Sequence, residues 1–108
     1  MRRVLLESPF AGDIEAHLAY ASLCVRDCLQ RGEAPIASHL LYTQPGILDD
    51  TKPDERLLGI RAGLAWAEVA EAIVVYTDHG ISDGMNFGIG FAKDSGIPVE
   101  FRTLPAPK

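Results

Sequence analysis

Positive charge is scarce in this chain. Ten Lys and Arg stand against fifteen Asp and Glu, a formal net charge of −5. Non-specific nucleic-acid binding needs a basic face to neutralise phosphates, so this balance argues against that class and leaves room only for a local basic patch. Long apolar runs are missing too; none approaches the roughly 20 residues that span a bilayer. The opening Met-Arg-Arg-Val-Leu-Leu-Glu-Ser-Pro has too short an apolar core for a secretion signal. A cytoplasmic location with no membrane partner is the expectation. Cysteine is limited to Cys24 and Cys28. Spaced four apart on an expected helix, they gain no support from helix geometry for a structural disulfide, and two thiols alone do not complete a zinc site. No metal and no cofactor are expected. The glycine patterns of the P-loop and of the dinucleotide fingerprint are absent as well.

What is present suits a globular α/β protein. The 47% hydrophobic content is enough to build a core at this length, since such a chain buries roughly two-thirds of its unfolded surface. Residues 1–108 are read as a single domain. The most informative stretch is Ala72 to Phe101. Ala72-Ile-Val-Val-Tyr76 is a continuous apolar run rich in β-branched residues, as in a strand covered on both faces. A polar loop follows, then helical spacing from Gly84 to Asp94. Gly96 and Pro98 end the helix, and another strand begins near Val99. Together these make a βαβ unit.

Earlier in the chain, Arg3–Glu7 reads as a strand. Ser8 to Asp13 reads as a turn with Asp13 as helix N-cap, and Ile14 to Arg31 as a helix stopped by Gly32. Ala34 to Tyr42 reads as a second strand and its exit. Thr43 to Pro53 is a polar connection, either a flap over the site or simply a long loop. Thr51-Lys-Pro-Asp54 resembles a capping box, and a largely apolar helix with Trp66 follows to about Val69. The alternation predicts a four-stranded parallel sheet with strands near 3–7, 34–38, 72–77 and 97–101. The expected fold is a small Rossmann-like (flavodoxin-like) three-layer sandwich, and right-handed crossovers favour strand order 2-1-3-4. The loops after the first and third strands then meet at the switch point where ligands bind. On that reasoning the cleft is expected from Ser8, Pro9, Phe10, Gly12, Asp13, His39, Tyr42, Asp78, His79, Ser82, Asp83, Gly84, Asn86 and Phe87.

Several of these residues carry a resemblance. Leu6-Glu-Ser-Pro-Phe10 with Gly12, then Ala37-Ser-His39, Trp66, Ala70 to Val75 and Ser82 to Ala92, are similar in pattern to the nucleoside 2-deoxyribosyltransferase superfamily, which includes small deoxynucleotide N-hydrolases. The resemblance covers nearly the whole chain and implies cleavage of N-glycosidic bonds on a Rossmann-like fold, usually by a homodimer. It implies a nucleotide or nucleoside ligand, with DNA containing a modified base as a further option. It also exposes a departure. The superfamily's nucleophilic carboxylate aligns with Gly88, and a second carboxylate in the preceding helix aligns with Gly63.

Three readings follow. The first is an N-glycosidic hydrolase acting on a deoxynucleotide or on a modified pyrimidine in DNA, with a relocated polar group among Glu7, Asp78, Asp83 and Asn86. Glu7 ends the first strand beside the cleft, where burial would raise its pKa toward general-acid use; an outward carboxylate at a strand end explains it equally well. On the DNA version, Phe10, Tyr42, His79 and Phe87 would hold a flipped base, and Arg2, Arg3, Lys52, Arg56 and Arg61 would have to cluster. The second reading is a non-catalytic nucleotide-binding module, which the two glycines favour. The third is a ligand-free oligomer. The helix carrying Trp66 is apolar on more than one face and suits a homodimer contact in all three.

Overall fold

The structure, a computed structural model, describes residues 1–106. Eight elements follow in order: β1 (Arg2–Glu7), α1 (Ile14–Gln30), β2 (Glu33–Ile36), α2 (Ser38–Leu41), α3 (Pro53–Ala67), β3 (Ala72–Tyr76), α4 (Asp83–Asp94) and β4 (Val99–Arg102). The four strands form one parallel sheet in the order β2-β1-β3-β4. The expected architecture and strand order are therefore present. No helix among the described residues is long and apolar enough to cross a membrane.

Strand alternation divides the core in two. Val4, Leu6, Ala72, Val74 and Tyr76 face α1, where Tyr20, Cys24 and Cys28 cover them. Leu5, Ile73 and Val75 face the opposite layer and pack against Ala67 of α3 and Met85, Ile89 and Ala92 of α4. Every residue of β3 is buried, which accounts for its unbroken apolar sequence. Each such Val or Ile contributes roughly 1.5–3 kcal/mol by leaving water. In β1, alternation places Glu7 on the same side as Leu5, toward α4. Glu7 pairs in register with Val75, so its side chain emerges at the carboxyl edge of the two central strands.

Local signals set most element ends. Asp13 caps α1 by accepting from the Ala16 amide at 3.2 Å. Ser82 caps α4 by accepting from the Met85 amide at 3.2 Å. Gly32 and Gly96 take the positive φ values (80° and 73°) that end α1 and α4. Four boundary expectations need correction. β2 stops at Ile36, and Ser38–Leu41 winds into a short helix; this run has no β-branched residue to hold it extended. The Thr51 capping box does not form, because the Thr51 hydroxyl donates to Asp49 Oδ1 at 2.6 Å. Lys52 precedes α3 instead, with Pro53 at the first turn, where a missing N–H costs nothing. Finally, β4 runs from 99 to 102 and α3 ends at Ala67 rather than Val69.

A network of charges fastens the outer strands across the sheet. Arg102 of β4 donates to both carboxylate oxygens of Glu33 of β2, each at 2.6 Å. Their side chains are only 8% and 6% exposed. Arg102 also donates to Glu100 at 3.0 Å, and Arg2 bridges Glu33 and Glu100 from β1. Beside them, Tyr76 Oη donates to Asp27 Oδ2 at 2.5 Å. The Arg102 hydrogen bonds hold the Glu33 carboxyl below its ordinary value, and Arg2 followed by Arg102 brings Glu100 down to about 2.

Replacing Arg102 with Ala should leave Glu33 buried beside Arg2 alone, and urea unfolding at pH 7 should show a loss of about 3 kcal/mol. Because both folded-state values are depressed, the network's contribution is present above pH 4.5 and is lost as pH falls toward 2. The gap between wild type and Arg102→Ala should therefore narrow over that range.

Candidate active site

Glu7 and Gly88 define the floor of the site. α4 turns Met85, Gly88, Ile89 and Ala92 toward the sheet at helical spacing, and Gly88 comes to rest against the end of β1. A Cβ on residue 88 would lie 2.6 Å from Glu7 Oε1 and 2.9 Å from Glu7 Cδ. Glycine is thus what lets the carboxyl group lie flat against the helix. No described residue donates a hydrogen bond to that carboxyl or pairs with it as a cation. Burial with no compensating partner pushes its pKa up to about 8. The shift holds a proton on Glu7 well above the ordinary carboxylate range, which suits a carboxylic acid with a proton to give.

Above this floor opens a cavity of about 390 Å³. One wall comes from the β1–α1 turn and the start of α2: Phe10, Ala11, Ser38 and His39. The facing wall comes from α3, through Arg56, Ile60, Gly63 and Leu64. The first turns of α4 close it with Ser82, Asp83, Gly84 and Phe87, and Asp50 stands at its rim. The Phe10 and His39 rings stack with centroids 4.8 Å apart and planes 15° from parallel. The Phe10 carbonyl lies 3.0 Å from His17 Nδ1, which steadies the turn from behind. Burial lowers the His39 pKa, which favours the neutral ring. The wall is flat and aromatic, the floor is acidic, and the entrance carries one guanidinium and two further carboxylates.

Of the residues expected from sequence, Glu7, Phe10, His39, Ser82, Asp83, Gly84 and Phe87 line this cavity. Others do not, each for a visible reason. Asp78 is held by the Tyr20 hydroxyl at 2.5 Å and by the Leu104 amide at 3.1 Å, so it fastens the segment after β4 rather than facing the cavity. His79 meets Tyr20 edge-on at 4.3 Å. Tyr42 accepts from Trp66 Nε1 at 2.7 Å and ties the end of α2 to α3. Asp13 serves as the α1 cap, and Gly12 takes φ +95° in the turn before it. Ser8 and Pro9 are buried outside the cavity lining, and Asn86 lies on the exposed side of α4. The helix-face contribution of α3 was not anticipated as a unit. Arg56, Ile60, Gly63 and Leu64 follow i, i+4, i+7, i+8 spacing, the signal that would have found it. Asp50 and Ser38 carry no such signal, because their places depend on loop geometry.

Comparison with known proteins sets this geometry in a family. A model of a domain of unknown function, DUF7768, matches residues 2–102. The chain belongs to the DUF7768 family. No curated protein matches it. Among solved structures it is similar to the 2-deoxyribosyltransferase of the psychrotolerant bacterium Bacillus psychrosaccharolyticus, with a TM-score of 0.63 and 18% identity. The match covers 98% of this chain and 75% of that one. Identity at this level carries the fold: this DUF7768 chain has a deoxyribosyltransferase-like, Rossmann-like architecture.

The unpaired acid has a thermodynamic signature. Between its ordinary value of 4.5 and about 8, the folded state keeps a proton that the unfolded state has lost. Stability should then be greatest below pH 4.5 as far as this group is concerned, and should fall as pH rises to 8. Glu7→Gln should abolish that decline, gaining roughly 1–3 kcal/mol over wild type at pH 8. Melting temperatures of both proteins measured from pH 5 to 9 test this; parallel curves would show that Glu7 is not buried as an acid.

Proposed function

We propose that this protein hydrolyses the N-glycosidic bond of a nucleoside-type ligand, with Glu7 as general acid. One observation carries the reading. The resemblance aligns the superfamily's carboxylate with residue 88, and here Glu7 enters the space a side chain on Gly88 would occupy. The acid reaches the floor from β1 instead of from α4. The deoxyribosyltransferase-like fold supports the same reading as an analogy of architecture.

The chemistry follows from the groups present. As the bond from C1′ to the base breaks, the Glu7 proton passes to the leaving nitrogen and neutralises it. Positive charge then develops on the sugar, and the Asp83 carboxylate on the cavity wall stabilises it. Water adds to C1′, and its proton returns to the Glu7 carboxylate. The products are the free base and the sugar hydroxyl. The Phe10–His39 stack and Phe87 offer flat surfaces for the base.

A free ligand fits better than DNA. Of the five cations a duplex would need together, Arg2 is engaged by Glu33 and Glu100, Arg3 lies 3.9 Å from Glu71, and Lys52 lies 3.6 Å from Glu55. Only Arg56 lines the cavity. Assembly as a homodimer is part of the proposal. Leu57, Leu58, Trp66 and Val69, in and just after α3, are 47–57% exposed, and a second copy of the chain would cover them.

Wild type should release base from at least one 2′-deoxyribonucleoside, with the rate falling as pH rises through about 8. Glu7→Gln should lower the rate about 10²–10⁴-fold, as loss of a general acid does. Gly88→Ala, which displaces the carboxyl, should lose about 10²-fold on the same scale. Ligands that raise the melting temperature without any base release would instead establish the binding-module reading. Separately, light scattering should give a dimer mass for wild type and a monomer mass for Leu58→Asp.

A further inference from the structure

The site continues beyond the inner cavity. A second groove of about 540 Å³ runs between the start of α1 and the 43–52 loop. Phe10 and Asp50 line both compartments, so the groove opens from the mouth of the cavity above Glu7. Its wall is fixed in place. The Thr43 hydroxyl donates to the His39 carbonyl at 2.6 Å, the Leu48 amide to the Tyr42 carbonyl at 3.0 Å, and the Asp49 amide to Glu55 at 3.2 Å. The loop is tied at both ends, onto α2 and onto α3.

The groove has an apolar body and an acidic mouth. Ile14 and Ile47 line it and are 41% and 50% exposed, so they present an apolar surface to whatever lies in the groove. Its charges are Asp49, Asp50, Glu55 and Lys52. Lys52 is 3.6 Å from Glu55, and Asp49 Oδ1 accepts from the Thr51 amide and hydroxyl. Asp50 has no such partner among the described residues, and it stands where the compartments join. Half-buried Glu7, lying against Gly88 with no partner among the described residues, independently marks the connected inner cavity as a ligand site.

We infer that the ligand is a nucleoside whose base bears an arm with an apolar body and a positively charged end, the arm lying along Ile14 and Ile47 and its cation meeting Asp50. This rests on the inner cavity being a nucleoside site. A phosphate or carboxylate arm is rejected by the surplus of carboxylates, and an arm without charge leaves Asp50 unpaired.

Titration calorimetry at pH 7 tests the assignment with defined probes. Thymidine is compared with 5-(3-aminoallyl)-2′-deoxyuridine, 5-propyl-2′-deoxyuridine and a 5-carboxyalkyl analogue. 2′-Deoxyadenosine is compared with its N6-(2-aminoethyl) derivative. At least one amine-armed ligand should bind about tenfold or more tightly than its parent, the worth of one charge-assisted hydrogen bond. The carboxyl-armed analogue should bind more weakly than thymidine, and Asp50→Asn should erase the amine's advantage. If the parents bind but neither amine improves on them, or the propyl arm gains as much, the inference is overturned while the nucleoside site stands. Persistence of the gain in Asp50→Asn overturns it equally. If no nucleoside binds at all, the site reading and the inference fall together.

Discussion

The approach of α4 to the end of β1 is the constraint on which the site depends. A helix packed on a sheet normally keeps its backbone a side chain's width away. At Gly88 that spacer is missing, and the Glu7 carboxyl takes its place. One contact thereby sets three properties. It fixes how closely the start of α4 closes the cavity. It leaves Glu7 half-buried without supplying a hydrogen bond, and the partial desolvation raises the acid's pKa. It also orients the carboxyl along the floor instead of into solvent. Glycine at this position leaves the Glu7 carboxyl its place, and a Cβ there would force that flexible side-chain end to shift.

The same constraint explains why the chemistry was only half legible in the sequence. The sheet could be read directly. Ala72–Tyr76 and Val4–Leu6 are apolar without interruption because the central strands are covered on both faces. The cap at Asp13 and the stops at Gly32 and Gly96 were equally plain, since each is decided within a few residues. Glu7 stood out because it ends the first strand beside the expected cleft, although which way its side chain turns was open. Its pairing with Gly88 was hidden, for the two are distant in sequence and a glycine announces space without naming what fills it.

Polar loop residues were the harder class. Asp78, His79 and Tyr42 lie near the right end of the sheet, but each has a partner that sequence proximity does not reveal: Tyr20, Leu104 or Trp66. Asp83, in the same loop-to-helix segment as Asp78, does reach the cavity. Nothing in residue type distinguishes the two. The difference is the Tyr20 hydroxyl projecting from α1. Ser38–Leu41 failed for another reason. A run of Ser, His and Leu residues fits a strand exit and a turn of helix alike, and the bond from Trp66 that anchors its far end comes from a different element.

The buried pairing of Glu33 with Arg102 has a bearing on how the chain is made. Its partners are 69 residues apart, and those of the Arg2–Glu100 pair are 98 apart. During synthesis from the ribosome, β1, α1, β2 and β3 emerge while Glu33 still lacks its strongest counter-ion. Collapse of these elements alone would bury a carboxylate without its bidentate arginine, at considerable cost. The partly made chain is thus discouraged from committing to a compact form until β4 follows. The sheet is complete only once β4 has paired with β3, and until then the β3 edge is open to other chains. A charge pair that looks like a fastening in the finished molecule acts, in time, as a check on premature closure.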